Sequence, residues 1–145
     1  MKIIITKSDI VYIDMDGVLV QKNGSINFKQ GRLKQGFFLH KEPIDGAIEA
    51  FKLIAQHCDV YILSTPVWDN EYCWSEKRIW VEKHLGCQAR KRLILTHNKS
   101  LNVGKILIDD SLDHGVSEFK GIHLHFETNE FPDWKSILNV ISFQD

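Results

Sequence analysis

Four short apolar runs, each ending in polar chemistry, set the architecture of this chain. Ile10–Ile13, Val60–Leu63, Leu93–Leu95 and Ile106–Ile108 are almost purely aliphatic, as strands are when a parallel sheet is covered on both faces. A fifth run, Ile122–Phe126, is weaker because His123 and His125 alternate through it. The intervening segments have a helical period. Ile44–His57 places apolar residues at Ile44, Ala47, Phe51, Ile54 and Ala55; Glu76–Leu85 and Asp133–Ile141 are spaced similarly, with Asp133 as an N-cap. Strands alternating with helices predict a three-layer, Rossmann-like α/β fold, a parallel sheet with helices on both faces. Ligands on such sheets bind beyond the C-terminal strand ends.

Those strand ends carry a distinctive set of groups. The first ends in Asp14-Met15-Asp16-Gly17. Side chains two apart on an extended chain point the same way, so Asp14 and Asp16 converge, and Gly17 opens positive φ to the turn. Crowded carboxylates repel, and a metal ion relieves that repulsion, so a magnesium site is expected. Calcium loops also use Asp-x-Asp but continue with further oxygen ligands, whereas Val18-Leu19-Val20 supplies none. The second strand ends in Ser64-Thr65-Pro66, the third is followed by Thr96-His97-Asn98-Lys99, and the fourth ends in Asp109-Asp110. Alone, Ser64-Thr65-Pro66 reads as an ordinary turn and Lys99 as a solvated loop lysine. Two adjacent acids at a buried strand end need a partner. Together these groups predict an active site at one sheet edge.

Composition narrows the partners. At 145 residues the chain is expected to form one domain, residues 1–145, with a core of its own. A formal net charge of −1 argues against wholesale binding to nucleic-acid backbone. No apolar run is long enough to span a bilayer, and the first residues lack a signal-peptide pattern. Cys58, Cys73 and Cys87 show no metal-ligand spacing, so reduced thiols are expected. The expectation is a cytoplasmic protein.

The four strand ends, taken in order from Asp14 to Asp110, resemble the motifs of the haloacid-dehalogenase-like hydrolases: Asp-x-Asp, a Ser/Thr strand end, a lysine and a late acidic pair. Three further stretches resemble the 5'(3')-deoxyribonucleotidases. They are Phe37-Phe38 ahead of Glu42–Ala50, then Glu76–Gly86, then Leu95–Ser100. Those enzymes carry a helical cap after the first motif. Here the corresponding stretch, about 21–40, is short, polar and rich in Gly and Lys, so a minimal cap-like insertion is expected.

The resemblance implies a two-step phosphomonoesterase. Asp14 attacks phosphorus to form an aspartyl-phosphate. Asp16 protonates the leaving oxygen and then deprotonates the hydrolytic water. Mg²⁺ is expected on the Asp14 carboxylate, the Asp16 main-chain carbonyl and Asp109. Ser64, Thr65 and Lys99 would bind the phosphoryl oxygens. Asp110 would orient Lys99 or a metal-bound water, and His97 would support the phosphate site. Phe37, Phe38, Trp68 and Trp74 offer stacking surfaces for a base, with ordinary packing the competing reading. Trp80 and Met15 read as packing residues. His123 and His125 point to one face but lack a third metal ligand and read as strand residues.

The substrate expected is a small phosphate ester, a nucleoside monophosphate by resemblance. Two other readings stay open. One is a phosphatase for another phosphate ester or for a polynucleotide 3'-phosphate end, a reading the short cap favours and the one nucleic-acid role kept open. The other is a catalytically silent phosphate-binding module. An oligomer whose partner subunit completes the sparsely capped site is also open.

Overall fold

The computed structural model describes residues 2–145. Five strands, β2 (Ile10–Ile13), β3 (Asp59–Ser64), β4 (Leu93–Leu95), β5 (Ile106–Asp109) and β6 (Ile122–His125), form a parallel sheet in the order β4-β3-β2-β5-β6. The register places Ile13 beside both Ile62 and Ile108. The central strands therefore end level, and Asp14, Ser64 and Asp109 share one edge.

The pleat sorts the core into two layers. Val11 and Ile13, Val60 and Ile62, and Ile106 and Ile108 face α2 (Ala47–His57), α3 (Tyr72–Leu85) and α4 (Trp134–Asn139) in the larger cluster. Tyr12, Leu63 and Leu107 alternate with them and pack under Val116 and Phe119. Phe119 follows a single 3₁₀ turn, Val116–Glu118. The second covering layer is thus much thinner than the first. Among the described residues, no helix is long and apolar enough to cross a membrane.

Several boundaries differ from those read in the sequence. The helix expected from Ile44 starts at Ala47, because Gly46 adopts φ +79° and the Ile44 N–H bonds the Leu19 carbonyl. The helix expected from Glu76 starts at Tyr72, four residues earlier, after Asn70 accepts from the Tyr72 N–H. The segment read as one helix from Asp133 to Ile141 breaks after Asn139. Its Asp133 cap is present, but Ile141–Phe143 forms β7, which pairs in parallel with β1 (Ile3–Ile5). Burial of Ile3, Ile5 and Ile141 drives that pairing.

The cap-like stretch holds one helical turn, α1 (Phe28–Gly31), capped by the Asn27 side chain. Its interior is an edge-to-face cluster of Phe28, Phe37 and Phe38.

Candidate active site

Asp14, first beyond β2, donates its N–H to the Ile108 carbonyl, so the ladder carries its side chain into the gap between β2 and β5. There it is buried, with Lys99 Nζ 2.8 Å from Oδ1. The same ammonium reaches Asp109 Oδ2 at 2.5 Å. Burial works against the Lys99 charge, but the two carboxylates outweigh it and hold the ammonium above its ordinary range. Asn98 delivers Lys99 to this point by capping the 3₁₀ turn Lys99–Leu101.

Asp109 and Asp110 divide the work in a way the sequence does not reveal. Asp109, the last residue of β5, is committed to Lys99 and to the Ser111 N–H at 3.0 Å. The ammonium expected beside Asp110 is therefore on Asp109. Asp110 turns toward Gly17, whose φ is +88° and whose missing Cβ would lie 2.1 Å from Asp110 Oδ2. Glycine is required there on both counts. Asp14, Asp109 and Asp110 each offer one ligand atom, all within 4.8 Å of one another. Burial first, and then the charge of Asp14, push the carboxyls of Asp109 and Asp110 up to about 7 and about 8. Hard oxygen donors gathered in this way suit a divalent cation.

Asp16 stands apart from that group, held by Lys77. The Lys77 side chain is wholly buried, with Nζ 2.7 Å from Asp16 Oδ2, 2.8 Å from Ser64 Oγ and 5.1 Å from the centroid of the Phe38 ring. Lys77 is not among the site residues expected from the sequence, although the sequence carries a signal for it. Cys73, Lys77, Trp80 and Val81 follow the helical period of a buried stripe, and a lysine there needs anionic company. Beside Ser64, the Thr65 hydroxyl is buried without a hydrogen-bond partner.

The preceding residue of α3, Glu76, has a second function. Its carboxylate accepts the N–H groups of Gly36 (2.8 Å) and Phe38 (3.1 Å). Asn70 Nδ2 donates to the carbonyls of Arg32 and Lys34, and Trp80 Nε1 to that of Lys41. Side chains on α3 and the loop before it thus clamp the cap-like stretch. A cleft of about 630 Å³ opens along it, lined by Gln21, Lys34, Phe37, His40 and Lys41 among others.

The expected aromatic contacts separate. Phe37 lines this cleft, with Lys41 Nζ 4.1 Å from its ring centroid. Phe38 is 3% exposed and packs inside the stretch, so it offers no open stacking face. Trp68 is 73% exposed and stands outside the cleft. It gathers with Trp74 and His97, ring centroids 5.5–6.2 Å apart. The structure thus packs His97 against tryptophans, and its side chain makes no hydrogen bond to Lys99 or the acids among the described residues.

A parallel sheet whose strand ends present Asp14 and Asp16, Ser64, Lys99 and the Asp109–Asp110 pair defines a haloacid-dehalogenase-like phosphatase. The family model described as 5' nucleotidase, deoxy (pyrimidine), cytosolic type C matches residues 27–145. The chain belongs to that family. It is 47% identical over 150 residues to a protein of Vibrio phage KVP40 proposed as a 5'(3')-deoxyribonucleotidase, covering 97% of this chain and 88% of that one. That coverage is too complete to omit the Asp14 strand end, which the family model does not reach. A Bordetella bronchiseptica protein proposed for the same activity is 51% identical over 117 residues, 74% of this chain and 63% of its own length. The human cytosolic-type 5'(3')-deoxyribonucleotidase is 38% identical over 105 residues, 71% of this chain; the matched region spans about half of the human protein, 47%.

Proposed function

We propose that this chain is a single hydrolase domain that dephosphorylates deoxynucleoside monophosphates with the help of Mg²⁺. The observation that carries the reading is the charge balance at the sheet edge. Four carboxylates, Asp14, Asp16, Asp109 and Asp110, meet two ammonium groups, Lys77 and Lys99. With all four ionised, the excess is the charge of one divalent cation. Asp14 and Asp110 would hold it with the main-chain carbonyl of Asp16. Asp109 instead neutralises Lys99, a different assignment from the one read in the sequence. When bound, the cation offsets the charge of the phosphate and of the carboxylate that approaches it.

The chain's own groups account for the remaining chemistry. Asp14 Oδ attacks phosphorus, forming an aspartyl-phosphate as the ester oxygen leaves. Asp16, fixed by Lys77, gives that oxygen its proton and later takes one from the water that releases phosphate. Lys99, Ser64 and the unpartnered Thr65 hydroxyl bind phosphoryl oxygens, where charge spreads during transfer. The cleft beside Phe37 and Lys41 falls within the roughly 300–1,000 Å³ of small-ligand sites and would take the nucleoside. The names of the phage, bacterial and human relatives support deoxyribonucleotides as the substrate class.

Phosphate release should be measured over ribo- and deoxyribonucleoside 3'- and 5'-monophosphates, sugar phosphates and a 3'-phosphorylated oligonucleotide, with Mg²⁺ or chelator. Deoxynucleotide turnover that needs Mg²⁺ and disappears in Asp14→Asn is expected. A preference for sugar phosphates or the oligonucleotide would overturn the substrate assignment.

A further inference from the structure

β6 lies parallel to β5, with His123 opposite Leu107 and His125 opposite Asp109. The two histidines project from one face, with ring centroids 5.0 Å apart and planes inclined by 28°. Both rings are directed at the backbone of the acidic pair. His123 Nε2 is 2.9 Å from the Asp109 carbonyl oxygen, and His125 Nε2 is 3.1 Å from that of Asp110. A carbonyl oxygen only accepts, so each Nε2 carries the proton and donates.

The two carbonyls are not equally supported. That of Asp109 also accepts the Phe126 N–H at 3.0 Å, continuing the sheet ladder. That of Asp110 lies past the end of β5, where the ladder has stopped, and His125 is its one hydrogen-bond donor among the described residues. The direction of a Cα–Cβ bond follows from the residue's own N, Cα and C atoms. Fixing the carbonyl therefore fixes the frame from which the Asp110 carboxylate projects toward Gly17 and Asp14.

We infer that His125, steadied by the His123 ring stacked on it, is a positioning residue that aims the Asp110 carboxylate into the cation cradle. The inference rests on the cation reading proposed above. The imidazole touches neither the cation nor the substrate; it acts through the Asp110 main chain. Groups that orient metal ligands in this indirect way typically contribute about 10–100-fold in affinity.

The test is Mn²⁺ binding to the full chain, followed by electron paramagnetic resonance without substrate, together with melting in chelator. His125→Phe keeps the stacked ring and removes the donor. His125→Gln returns an N–H donor at similar reach, and His125→Asn carries an amide too short to reach the Asp110 carbonyl. Mn²⁺ affinity should fall about tenfold or more in Phe and Asn and return to within about threefold of wild type in Gln, with metal-free melting temperatures alike. If His125→Phe does not fold, His125→Asn carries the comparison. Wild-type affinity in a folded Phe or Asn variant would overturn the inference. A wild-type chain that binds no Mn²⁺ would overturn the cation reading itself, and this inference with it.

Discussion

Replacing Lys77 with methionine keeps the length of a wholly buried side chain and removes its charge. The ammonium sits 2.7 Å from Asp16 and 2.8 Å from Ser64. At an effective dielectric of ~20, unit charges at that separation attract by about 6 kcal/mol, much of it offset by the desolvation of the ammonium. The substitution removes one partner only. Asp16, whose side chain is 14% exposed, loses the ammonium bonded to it beneath α3. Breaking a largely buried pair by removing one partner costs about 3–5 kcal/mol, a large part of the ~5–15 kcal/mol that holds a domain folded. At about 2–4 °C per kcal/mol for a chain of this size, melting should fall by roughly 6–20 °C. Turnover should fall by about 10²-fold or more, because the proposed acid–base group loses its anchor. Calorimetry in chelator and phosphate release with Mg²⁺ measure the two effects. A variant melting within about 2 °C of wild type would refute the idea that Lys77 compensates a desolvated Asp16.

Gly17→Ala would place a methyl against Asp110 in a left-handed backbone. Stability should fall by about 1–2 kcal/mol and kcat by about 10²-fold through the displaced carboxylate, both read from melts and steady-state rates. The pH dependence of metal-free stability follows from Asp109 and Asp110, whose folded values are raised to about 7 and about 8. Folded protein keeps protons there that the unfolded chain has released, so the stabilisation is complete below the unfolded carboxylate range of about 4. It is lost as pH rises through about 7–8. Melting in chelator should therefore decline from pH 5 to 8.5, and a level or rising curve would contradict the cause assigned. Glu76→Gln sets an amide N–H₂ against one of the two backbone donors it now satisfies. It should destabilise by about 1–3 kcal/mol and raise KM for a nucleotide several-fold with little change in kcat, as kinetics on the purified variant would show.

Much of this was written in local pattern. The aliphatic runs and the polar residues that end them located the sheet and its active edge, since burial on both faces leaves little choice of composition. The pairing of β1 with β7 was not legible. Each is three residues long and each finds its partner at the far end of the chain, so neither shows a period. Ile141, apolar at helical spacing, reads as the end of α4, and only its register with Ile3 makes it a strand residue. The roles of Asp109 and Asp110 were equally hidden, because neighbours at a strand end diverge and only the placement of Lys99 decides between them. The surroundings of His97 were hidden for a related reason. Two residues from Lys99 in sequence, it sits on the exposed side of a turn and meets Trp68 and Trp74.

The clamp on the cap-like stretch has an asymmetry with consequences for how such a protein changes. On the α3 side the contacts are made by particular side chains, Asn70, Glu76 and Trp80. On the other side they end on main-chain atoms of Arg32, Lys34, Gly36, Phe38 and Lys41. Any residue other than proline presents those same atoms, save at Gly36, whose φ of +88° favours glycine. The rim of the cleft can therefore be rewritten residue by residue while its attachment to the helix stays intact. Substrate preference and catalytic machinery then become separable traits: a library confined to the exposed side chains of residues 21–41, with Gly31, Gly36 and the buried Phe38 kept, should redirect the ligand without rebuilding the site that acts on it.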